Sequence, residues 1–455
     1  MSLLDAQLDA IETTMPLRVV GQVQAITGMT IEASDLALPL GSLCQITSFA
    51  GKTSKAEVIG FRHDHTLLMP LTNTSGVARG DRIENLSAGP RIWCSEQLLG
   101  RVLNGFGQPI DGKGALVPSE SRRIDNRSVA PMDRANIRQP ISTSIRAIDA
   151  LHTCGLGQRM GIFAGPGVGK SVLMSQIAKH TSADVSVVAL IGERGREVQE
   201  FIQHALGEEG LKRCVVIVST SDEAPLLRVR AGKVACTVAE FFRDQGKHVL
   251  LLMDSLTRLA HAQRQIGLAA HEPPATKGYP PSVFALLPEI LERAGKTPTG
   301  SITGFYTVLV EGDDFNEPIP DAVKGITDGH LWLSRSLANR GHYPAIDVLQ
   351  SISRVRSDVA EKPHVMAARR VLSLIAIYQD IEDLVNIGAY VQGANADFDL
   401  AVTTRARIVQ FLQQESTSPS TMEQSKKSLM DLVNLIDQTD KLLKANAAKA
   451  VAKKA

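Results

Sequence analysis

Aromatic residues are scarce in this chain, at 4% of its 455 residues. Proteins that bind single-stranded nucleic acid stack the bases on aromatic side chains above a basic groove. Between residues 17 and 89 the chain has only Phe49 and Phe61 for such stacking. The formal net charge is also only +1, so the overall charge balance does not attract nucleic acid or anionic lipid. We therefore expect no specific nucleic-acid partner.

The cysteine pattern and the length of the hydrophobic runs argue against a disulfide-bonded, zinc-binding or membrane-spanning protein. The five cysteines are scattered and form no C-x-x-C pair, which fits a reducing compartment and argues against disulfides or zinc. No apolar run reaches the roughly 20 residues that a membrane-spanning helix needs. The first residues, MSLLDAQLDAIETTMP, are acidic and amphipathic, unlike a secretory signal. These features predict a cytoplasmic protein.

One stretch is unusually rich in glycine. Residues 161–171 read GIFAGPGVGKS, with a short apolar run before the loop and helical spacing of apolar residues after it. Glycines let successive backbone N–H groups point into one concavity, and the start of a helix adds its own N–H groups. We therefore predict a phosphate-binding loop, in which Lys170 contacts the outer phosphates and Ser171 contacts Mg²⁺.

This loop fits the pattern G-x-x-x-x-G-K-[ST] except at its first position, where Ala164 replaces glycine. That position mainly needs a small residue, so the departure is minor. A glycine-rich turn with an accidental lysine is the alternative, and the strand and helix signals on either side argue against it. The predicted nucleotide-binding residues of the loop are Gly165, Pro166, Gly167, Val168, Gly169, Lys170, Ser171 and Val172.

The chain divides into regions of different character. Residues 17–89 contain short β-like runs punctuated about every ten residues, which predicts a small closed antiparallel barrel. Residues 90–362 contain nearly continuous apolar runs separated by helical stretches, which is typical of a parallel sheet covered on both faces. Residues 363–440 have helical patterns, and the Ala- and Lys-rich residues 441–455 are expected to be disordered. The predicted fold class is α/β with a barrel and a helical domain added.

The first 16 residues predict a short amphipathic helix. Leu4, Leu8, Ile11 and Met15 fall on one helical face. This face either docks a partner or packs onto the chain's own barrel, and the residues alone do not separate the two.

Two predicted strands end in charged residues. The run before Asp254 is apolar, and an acid at the end of such a strand can help to hold Mg²⁺ beside a phosphate-binding loop, or can simply cap a helix. A second apolar run ends in Glu193 and Arg194, which could polarise water and steady phosphate charge. A surface turn with alternating charges would have the same spacing.

Several motifs together resemble the ATPase of the bacterial flagellar type III export apparatus, whose relatives include injectisome ATPases and the catalytic subunits of rotary ATP synthases. The likeness covers nearly the whole chain, and EPPATKGYPPSVF is typical of the export branch. It implies a RecA-like P-loop core. The motifs, besides the loop, are IGERGREV (191–198), LLLMDSLTR (250–258), EPPATKGYPPSVF (272–284), GSITGFYTVLVEGDD (300–314), GHYPAID (341–347) and SISR (351–354).

The resemblance assigns roles in ATP hydrolysis to matching positions. Lys170 and Ser171 contact phosphate and Mg²⁺, and Asp254 belongs to the Mg²⁺ site through water. Glu193 is the carboxylate that activates the attacking water. Arg194 lies near the γ-phosphate.

The resemblance also implies contributions from more distant segments. Tyr343 stacks on adenine, which suits the face of a tyrosine ring. Arg354 is an arginine finger that acts in trans on a neighbouring subunit of a homohexameric ring. The alternative is that Arg354 pairs locally with Asp358, four residues further along.

The partners implied by the resemblance are proteins. They are a dimeric peripheral regulator that binds the N-terminal helix, a coiled-coil protein in the centre of the ring, the export gate, chaperones and export substrates. The implied location is the cytoplasmic face of the inner membrane, with peripheral association only.

Four other functions are alternatives to flagellar export. An RNA-translocating hexamer shares the core fold, but its aromatic and basic surface is missing here. A non-catalytic nucleotide-binding subunit should lack a water-activating carboxylate, whereas Glu193 is present. An injectisome ATPase carries the same motifs, and general likeness favours the flagellar form over it. A rotary ATP synthase subunit is less favoured by the export-type motif.

Overall fold

The computed structural model of the chain describes residues 18–87, 89–310 and 317–452, with side chains as far as residue 446. The predicted N-terminal helix, residues 1–16, lies outside the described residues. Within the described ranges no helix has the length and apolar character to cross a membrane.

The amino-terminal part forms a closed barrel with the strand order β1-β2-β5-β4-β3-β6, in which all neighbours are antiparallel. Alternate side chains point inward, so Cys44 and Ile46 are buried while their neighbours are partly exposed. This confirms the predicted barrel. Its strands are β1 (Val20–Thr27), β2 (Thr30–Ser34), β3 (Leu43–Thr47), β4 (Thr53–Arg62), β5 (His65–Pro70) and β6 (Arg82–Ser87).

The remaining strands follow the barrel in the chain and form one large sheet and two small ones. They are β7 (Arg91–Cys94), β8 (Val102–Asn104), β9 (Glu120–Arg123), β10 (Pro140–Ile141), β11 (Cys154–Gly155), β12 (Arg159–Ala164), β13 (Val185–Glu193), β14 (Cys214–Thr220), β15 (His248–Asp254), β16 (Gly295–Lys296), β17 (Ser301–Leu309), β18 (Gly329–Leu333) and β19 (Ile346–Ser353). Two small sheets pair β7 with β9 and β10 with β11.

The large sheet has the order β19-β18-β12-β17-β15-β13-β14-β8, with β16 added beside β17. The strands from β18 to β8 run parallel, and only β19 and β16 are antiparallel to their neighbours. Every residue of β13 is buried. Alternate residues of this strand belong to two different apolar cores, as Val187 and Val188 do. The sheet is therefore covered on both faces, as predicted.

Helices cover this sheet on both faces. They are α1 (Arg146–Leu151), α2 (Lys170–His180), α3 (Gly195–Glu200), α4 (Gly207–Leu211), α5 (Pro225–Asp244), α6 (Leu256–Ala269), α7 (Pro281–Leu291), α8 (Pro318–Ile326) and α9 (Arg335–Asn339). A π-helical turn, Phe201–Leu206, joins α3 to α4.

The carboxyl-terminal region is helical, as predicted, and packs on α1. It contains α10 (Arg356–Val359), α11 (Lys362–Asn386), α12 (Ala396–Leu412) and α13 (Met422–Ala452). The last helix continues to Ala452, through most of the stretch 441–455 that was expected to be disordered. Alanine and lysine are strong helix formers, so this composition extends an existing helix readily.

The topology brings three strand ends together. Strands β12, β13 and β15 are parallel members of one sheet, so the loop after Ala164 and the residues Glu193 and Asp254 lie at the same edge. Strand β17 lies between β12 and β15. Ligands of open α/β sheets bind at this carboxyl edge.

Candidate active site

The glycine-rich loop connects β12 directly to α2. Ala164, which replaces the first glycine of the pattern, is fully buried at the end of the strand. A small side chain is therefore accommodated at this position. Gly167 and Gly169 have φ angles of 78° and 88°, in a region that side-chain-bearing residues rarely adopt. The helix begins at Lys170, with Gly169 as its N-cap. The loop therefore directs the free N–H groups at the start of α2 toward the carboxyl edge of the sheet.

Lys170 reaches across this edge to the end of β15. Its Nζ donates to Oδ1 of Asp254 at 2.5 Å and lies 3.8 Å from Oε1 of Glu193. The Thr307 hydroxyl donates to the same Asp254 Oδ1 at 2.7 Å. The structure thus brings together the predicted lysine and both predicted carboxylates, with one additional hydroxyl group.

Glu193 is buried, and its Oε1 has no hydrogen-bond partner among the described residues. Burial raises the pKa of Glu193 to about 7, and a hydrogen bond with Glu197 and the negative charge of Asp254 act in the same direction. Lys170 and Arg258 lower this pKa, with Arg258 Nη2 lying 3.2 Å from Oε2 of Glu193. The same hydrogen bond holds the pKa of Glu197 below its usual value. A carboxylate with a pKa near neutrality suits proton transfer at physiological pH.

Arg194 is placed differently from Glu193. It is exposed, and its Nη1 lies 3.8 Å from Oε1 of Glu197, its neighbour along α3. Its guanidinium makes no ion pair with Glu193 or Asp254 in the described part of the chain. Arg194 is therefore exposed to solvent at the start of α3.

The residues predicted to hold a metal fit a hard cation. Ser171 is exposed in the first turn of α2, so its hydroxyl is accessible. The Asp254 carboxylate is buried and oriented by Thr307. Hydroxyl and carboxylate oxygens are the ligands that Mg²⁺ prefers.

A cavity of about 760 Å³ opens beside the loop. One wall is Tyr343, whose ring carbon Cε1 lies 3.4 Å from the position that a Cβ on Gly169 would occupy. The other wall is the connection between α12 and α13, and the backbone N–H of Gln414 donates to the Tyr343 carbonyl at 3.0 Å. The lining residues are Val168, Gly169, Val172, Leu173, Gln176, Leu333, Gly341, Tyr343, Pro344, Ala345, Gln410, Gln413, Gln414, Glu415 and Ser416. The cavity places the Tyr343 ring next to the predicted phosphate-binding loop.

Arg354 lies at the opposite end of the sheet. It follows β19, and Ser353 of that strand pairs with Gly329, the first residue of β18. Its backbone N–H donates to the carbonyl of Asp328 at 3.0 Å. The phosphate-binding loop follows the other end of β12, a strand of roughly 20 Å at about 3.3 Å per residue. Arg354 therefore lies far from the loop of its own chain.

The alternative for Arg354, a local ion pair with Asp358, is not present. Both residues are exposed, and within the described ranges no ion pair joins them. The guanidinium is available to another molecule.

Sequence reasoning missed several residues of this site. Arg258 and Thr307 contact the two carboxylates from α6 and β17. A polar threonine in the apolar run TVLV was a signal, but its partner on β15 could not be read from the chain. The run QFLQQ (410–414), which spans the end of α12 and the first residues after it, likewise gave no sign that Gln410, Gln413 and Gln414 line a cavity with Tyr343.

Models of known protein families match three successive parts of the chain. Residues 144–353 match the model of the ATP synthase alpha/beta family, nucleotide-binding domain. Residues 23–87 match the beta-barrel domain of the same family. Residues 360–431 match the T3SS EscN ATPase C-terminal domain.

Whole-chain relatives have both flagellar and secretion-system names. The chain is 48% identical over 429 residues to the flagellum-specific ATP synthase of Bacillus subtilis (strain 168), covering 93% of this chain and 98% of that protein. It is 49% identical over 427 residues to the flagellum-specific ATP synthase of Treponema pallidum (strain Nichols), covering 94% and 96%. It is 46% identical over 423 residues to the type 3 secretion system ATPase of Xanthomonas euvesicatoria, covering 92% and 96%.

Solved structures agree with these relatives. The assembled ATPase EscN of the enteropathogenic E. coli type III secretion system superposes with a TM-score of 0.86 at 43% identity, covering 91% of this chain and 100% of that one. EscN in complex with its central stalk EscO gives a TM-score of 0.85 at 42% identity, with the same coverage.

Proposed function

Because this chain belongs to the flagellum-specific ATP synthases, within the ATP synthase alpha/beta family, we propose a specific division of labour for its ATP hydrolysis between one subunit and the next. The chain is an ATPase of the type III export class, and its role is to energise the export of flagellar proteins. The observation that carries the proposal is the placement of Lys170, Glu193 and Asp254 at one edge of the sheet and of Arg354 at the opposite edge.

The glycine-rich loop and Lys170 hold the phosphates of ATP. The N–H groups at the start of α2 and the Lys170 ammonium supply positive charge. In the structure the Lys170 ammonium donates to Asp254. When ATP binds, this side chain moves from Asp254 to the phosphates. Tyr343 stacks on the adenine in the neighbouring cavity, which sets the base beside the loop.

Glu193 acts as general base. It removes a proton from the attacking water, whose oxygen forms a bond to the γ-phosphorus as the bond to the ADP oxygen breaks. Arg258 holds the Glu193 carboxylate from α6. Arg194, exposed beside it, contributes positive charge near the γ-phosphate.

Ser171 and Asp254 would hold Mg²⁺, Asp254 through water. The cation, when bound, neutralises charge on the β- and γ-phosphates. The accessible Ser171 hydroxyl and the oriented Asp254 carboxylate support this assignment.

Arg354 acts in trans. It is exposed, unpaired with Asp358 and far from its own loop, so it can stabilise transition-state charge only at another copy's site. A guanidinium supplied this way is worth roughly three to five orders of magnitude in rate. The assembled state of EscN supports an oligomer here, and we propose a homohexameric ring with a site at each interface.

The protein partners follow from the same relatives. EscN is known in complex with a central stalk, and we propose a coiled-coil stalk for this ring. We further propose a dimeric regulator on residues 1–16, contacts with the export gate, chaperones and export substrates, and a cytoplasmic location with peripheral association to the inner membrane.

A mixing experiment tests the division of labour. Lys170→Ala and Arg354→Ala subunits are each expected to be inactive alone. In randomly mixed rings about one interface in four combines an intact loop with an intact arginine, so activity should recover to at most about a quarter of wild type. ATP turnover and subunit exchange are measured on the same samples, with exchange followed by energy transfer between labelled subunits.

The matched control mixes Lys170→Ala with Glu193→Gln, which damage the same side of the interface. This mixture should not recover. If exchange is complete and the Lys170→Ala and Arg354→Ala mixture also stays inactive, the trans mechanism is wrong.

A further inference from the structure

Thr307 is a buried hydroxyl residue near the end of β17. This strand lies between β12, which leads into the phosphate-binding loop, and β15, which ends in Asp254. In register Thr307 stands beside Ile162 of β12, and its neighbour Tyr306 stands beside Met253 of β15. Thr307 is fully buried. Because a buried hydroxyl costs free energy unless it is hydrogen-bonded, its partner is informative.

That partner is the carboxylate of Asp254. Thr307 Oγ1 donates to Asp254 Oδ1 at 2.7 Å, and Lys170 Nζ donates to the same oxygen at 2.5 Å. Asp254 is itself buried, at 3% exposure. Two donors of very different mobility therefore meet on one oxygen.

We expect only one of the two donors to keep its hydrogen bond to Asp254 when ATP binds. Lys170 extends from the loop on a flexible side chain, and it is the group expected to move onto the phosphates. Thr307 is a β-branched residue with a restricted χ1 angle, fixed in the middle of the sheet. After Lys170 leaves, Thr307 is the donor that still restrains Asp254.

We propose that Thr307 is a positioning residue for catalysis: it fixes the orientation of the Asp254 carboxylate toward the Mg²⁺ that accompanies ATP. The inference rests on the proposed function, since it assumes that Asp254 serves Mg·ATP. Without Thr307, Asp254 would keep its charge but lose its fixed direction, so discrimination between metal-loaded and metal-free nucleotide would suffer first.

A purely structural role is the competing explanation. Thr307 Oγ1 also lies 3.4 Å from the carbonyl oxygen of Met253. On this explanation the hydroxyl only provides a hydrogen bond within the sheet. In that case its loss would weaken folding or nucleotide binding with no dependence on the metal. The two explanations therefore differ in the metal dependence of binding, which can be measured without turnover.

The test compares Thr307→Val, which replaces the hydroxyl with a methyl of similar size, with Thr307→Ser, which retains it. A fluorescent ATP analogue is titrated with MgCl₂ and with EDTA. Wild type should bind more tightly with Mg²⁺. In Thr307→Val this preference should fall about tenfold and kcat should fall more than KM rises, whereas Thr307→Ser should recover most of both.

Thr303→Val is the matched control, because it places a valine at another buried position of the same strand. Thr303 Oγ1 accepts a hydrogen bond from the backbone N–H of Gly157 at 2.9 Å and does not contact Asp254. This control should retain the wild-type preference for Mg²⁺. If Thr307→Val does not fold, Thr307→Ala removes the hydroxyl without pressing a new methyl on Asp254 and decides the question.

The outcomes are distinct. An unchanged Mg²⁺ preference in soluble, folded Thr307→Val or Thr307→Ala overturns the inference, as does equal weakening of binding with Mg²⁺ and with EDTA. A wild-type protein that binds nucleotide with no preference for Mg²⁺ would instead overturn the proposed metal site, and the inference with it.

Discussion

Glu193 illustrates how a single side chain acquires its chemistry from its surroundings. An isolated glutamate is ionised far below neutral pH. Here burial raises the pKa of Glu193 to about 7, with Glu197 and Asp254 adding to the rise against Lys170 and Arg258. The group is thus a base whose protonation state changes within the physiological pH range.

This pKa predicts the pH dependence of turnover. The base acts only when deprotonated, so kcat/KM, which reports the free enzyme, should be low below pH 6, rise through an inflection near pH 7 and level off above pH 8. Steady-state ATPase assays across this range measure the inflection. Glu193→Gln should bind ATP but lose roughly 10²- to 10⁴-fold in kcat, as expected for loss of a general base.

Glu197→Gln serves as the companion variant. Since hydrogen bonding with Glu197 helps to raise the pKa of Glu193, this change should move the inflection to lower pH while leaving substantial activity. Unchanged turnover in Glu193→Gln would remove Glu193 from the mechanism.

At the scale of elements, the connection between α12 and α13 is held by the first residue of α1. The Arg146 guanidinium donates to the carbonyls of Phe411 and Gln413 at 2.7 and 2.6 Å. Its backbone N–H donates to Oε1 of Gln414 at 2.7 Å. The same connection is bonded to Tyr343 and lines the cavity beside the loop. Arg146 therefore supports the nucleotide pocket from outside it.

Arg146→Ala should weaken nucleotide binding more than catalysis. Loss of two charge-assisted hydrogen bonds loosens the cavity wall, and a loss of about 1.4 kcal/mol in binding is a tenfold rise in Kd. We expect KM for ATP to rise by about that factor with kcat changed less than threefold. Calorimetric Kd and steady-state kinetics provide the measurement.

Arg405→Ala is the matched control for this prediction. It removes a guanidinium on α12 that lies 4.5 Å from the Tyr378 ring centroid, without touching the connection held by Arg146. An equal rise in KM in both variants would show that Arg146 has no particular role in the pocket.

At the scale of the whole molecule, an ion pair between buried Arg230 and partly buried Glu57 joins the barrel to the nucleotide-binding domain. Oε2 of Glu57 on β4 lies 3.5 Å from Nη1 of Arg230 on α5. Burial raises the pKa of Glu57 to about 7; Arg230 and Lys233 act against the rise, and Asp125 adds to it. The junction therefore includes a carboxyl group that is more easily protonated when folded than when unfolded.

This raised pKa predicts a pH-dependent stability. The folded state binds an extra proton between the unfolded pKa of Glu57 and about 7, so stability falls as pH rises through that window. Glu57→Gln removes the effect, and its stability relative to wild type should improve from pH 5 to pH 8 by at most about 3 kcal/mol. Denaturant unfolding at several pH values measures the difference, with Glu289→Gln as control. A difference that does not change with pH would contradict the prediction.

The amino-terminal helix gives a second prediction at this scale, for residues outside the described ranges. Leu8→Asp with Ile11→Asp places charges on the predicted apolar face, so binding of the dimeric regulator should be lost while ATP hydrolysis remains. Co-purification and ATPase assays provide the two readouts. Loss of solubility instead would indicate that the face packs on the chain's own barrel.

The sequence by itself determined the parts of this protein that depend on local patterns. A phosphate-binding loop needs closely spaced glycines, a lysine and a helix start, so the local pattern predicts the loop that contains Lys170. Apolar runs predict that Glu193 and Asp254 follow strands, and the family resemblance supplies their roles. The barrel, the parallel sheet and the helical end follow from periodicity in the same way. The helix that continues to Ala452 was missed because the same alanines and lysines suit a helix and a disordered tail.

Only the tertiary structure decided what these residues meet. Strand β17 comes after β15 in the chain but lies between β15 and β12 in the sheet, and this crossover alone brings Thr307 to Asp254. Arg258 and the cavity beside Tyr343 likewise arise from contacts between distant elements, and β19 runs antiparallel so that Arg354 emerges at the far edge. Such contacts depend on strand order and direction, which local composition does not encode, because the free energy that selects them comes from burying whole faces of the sheet at once.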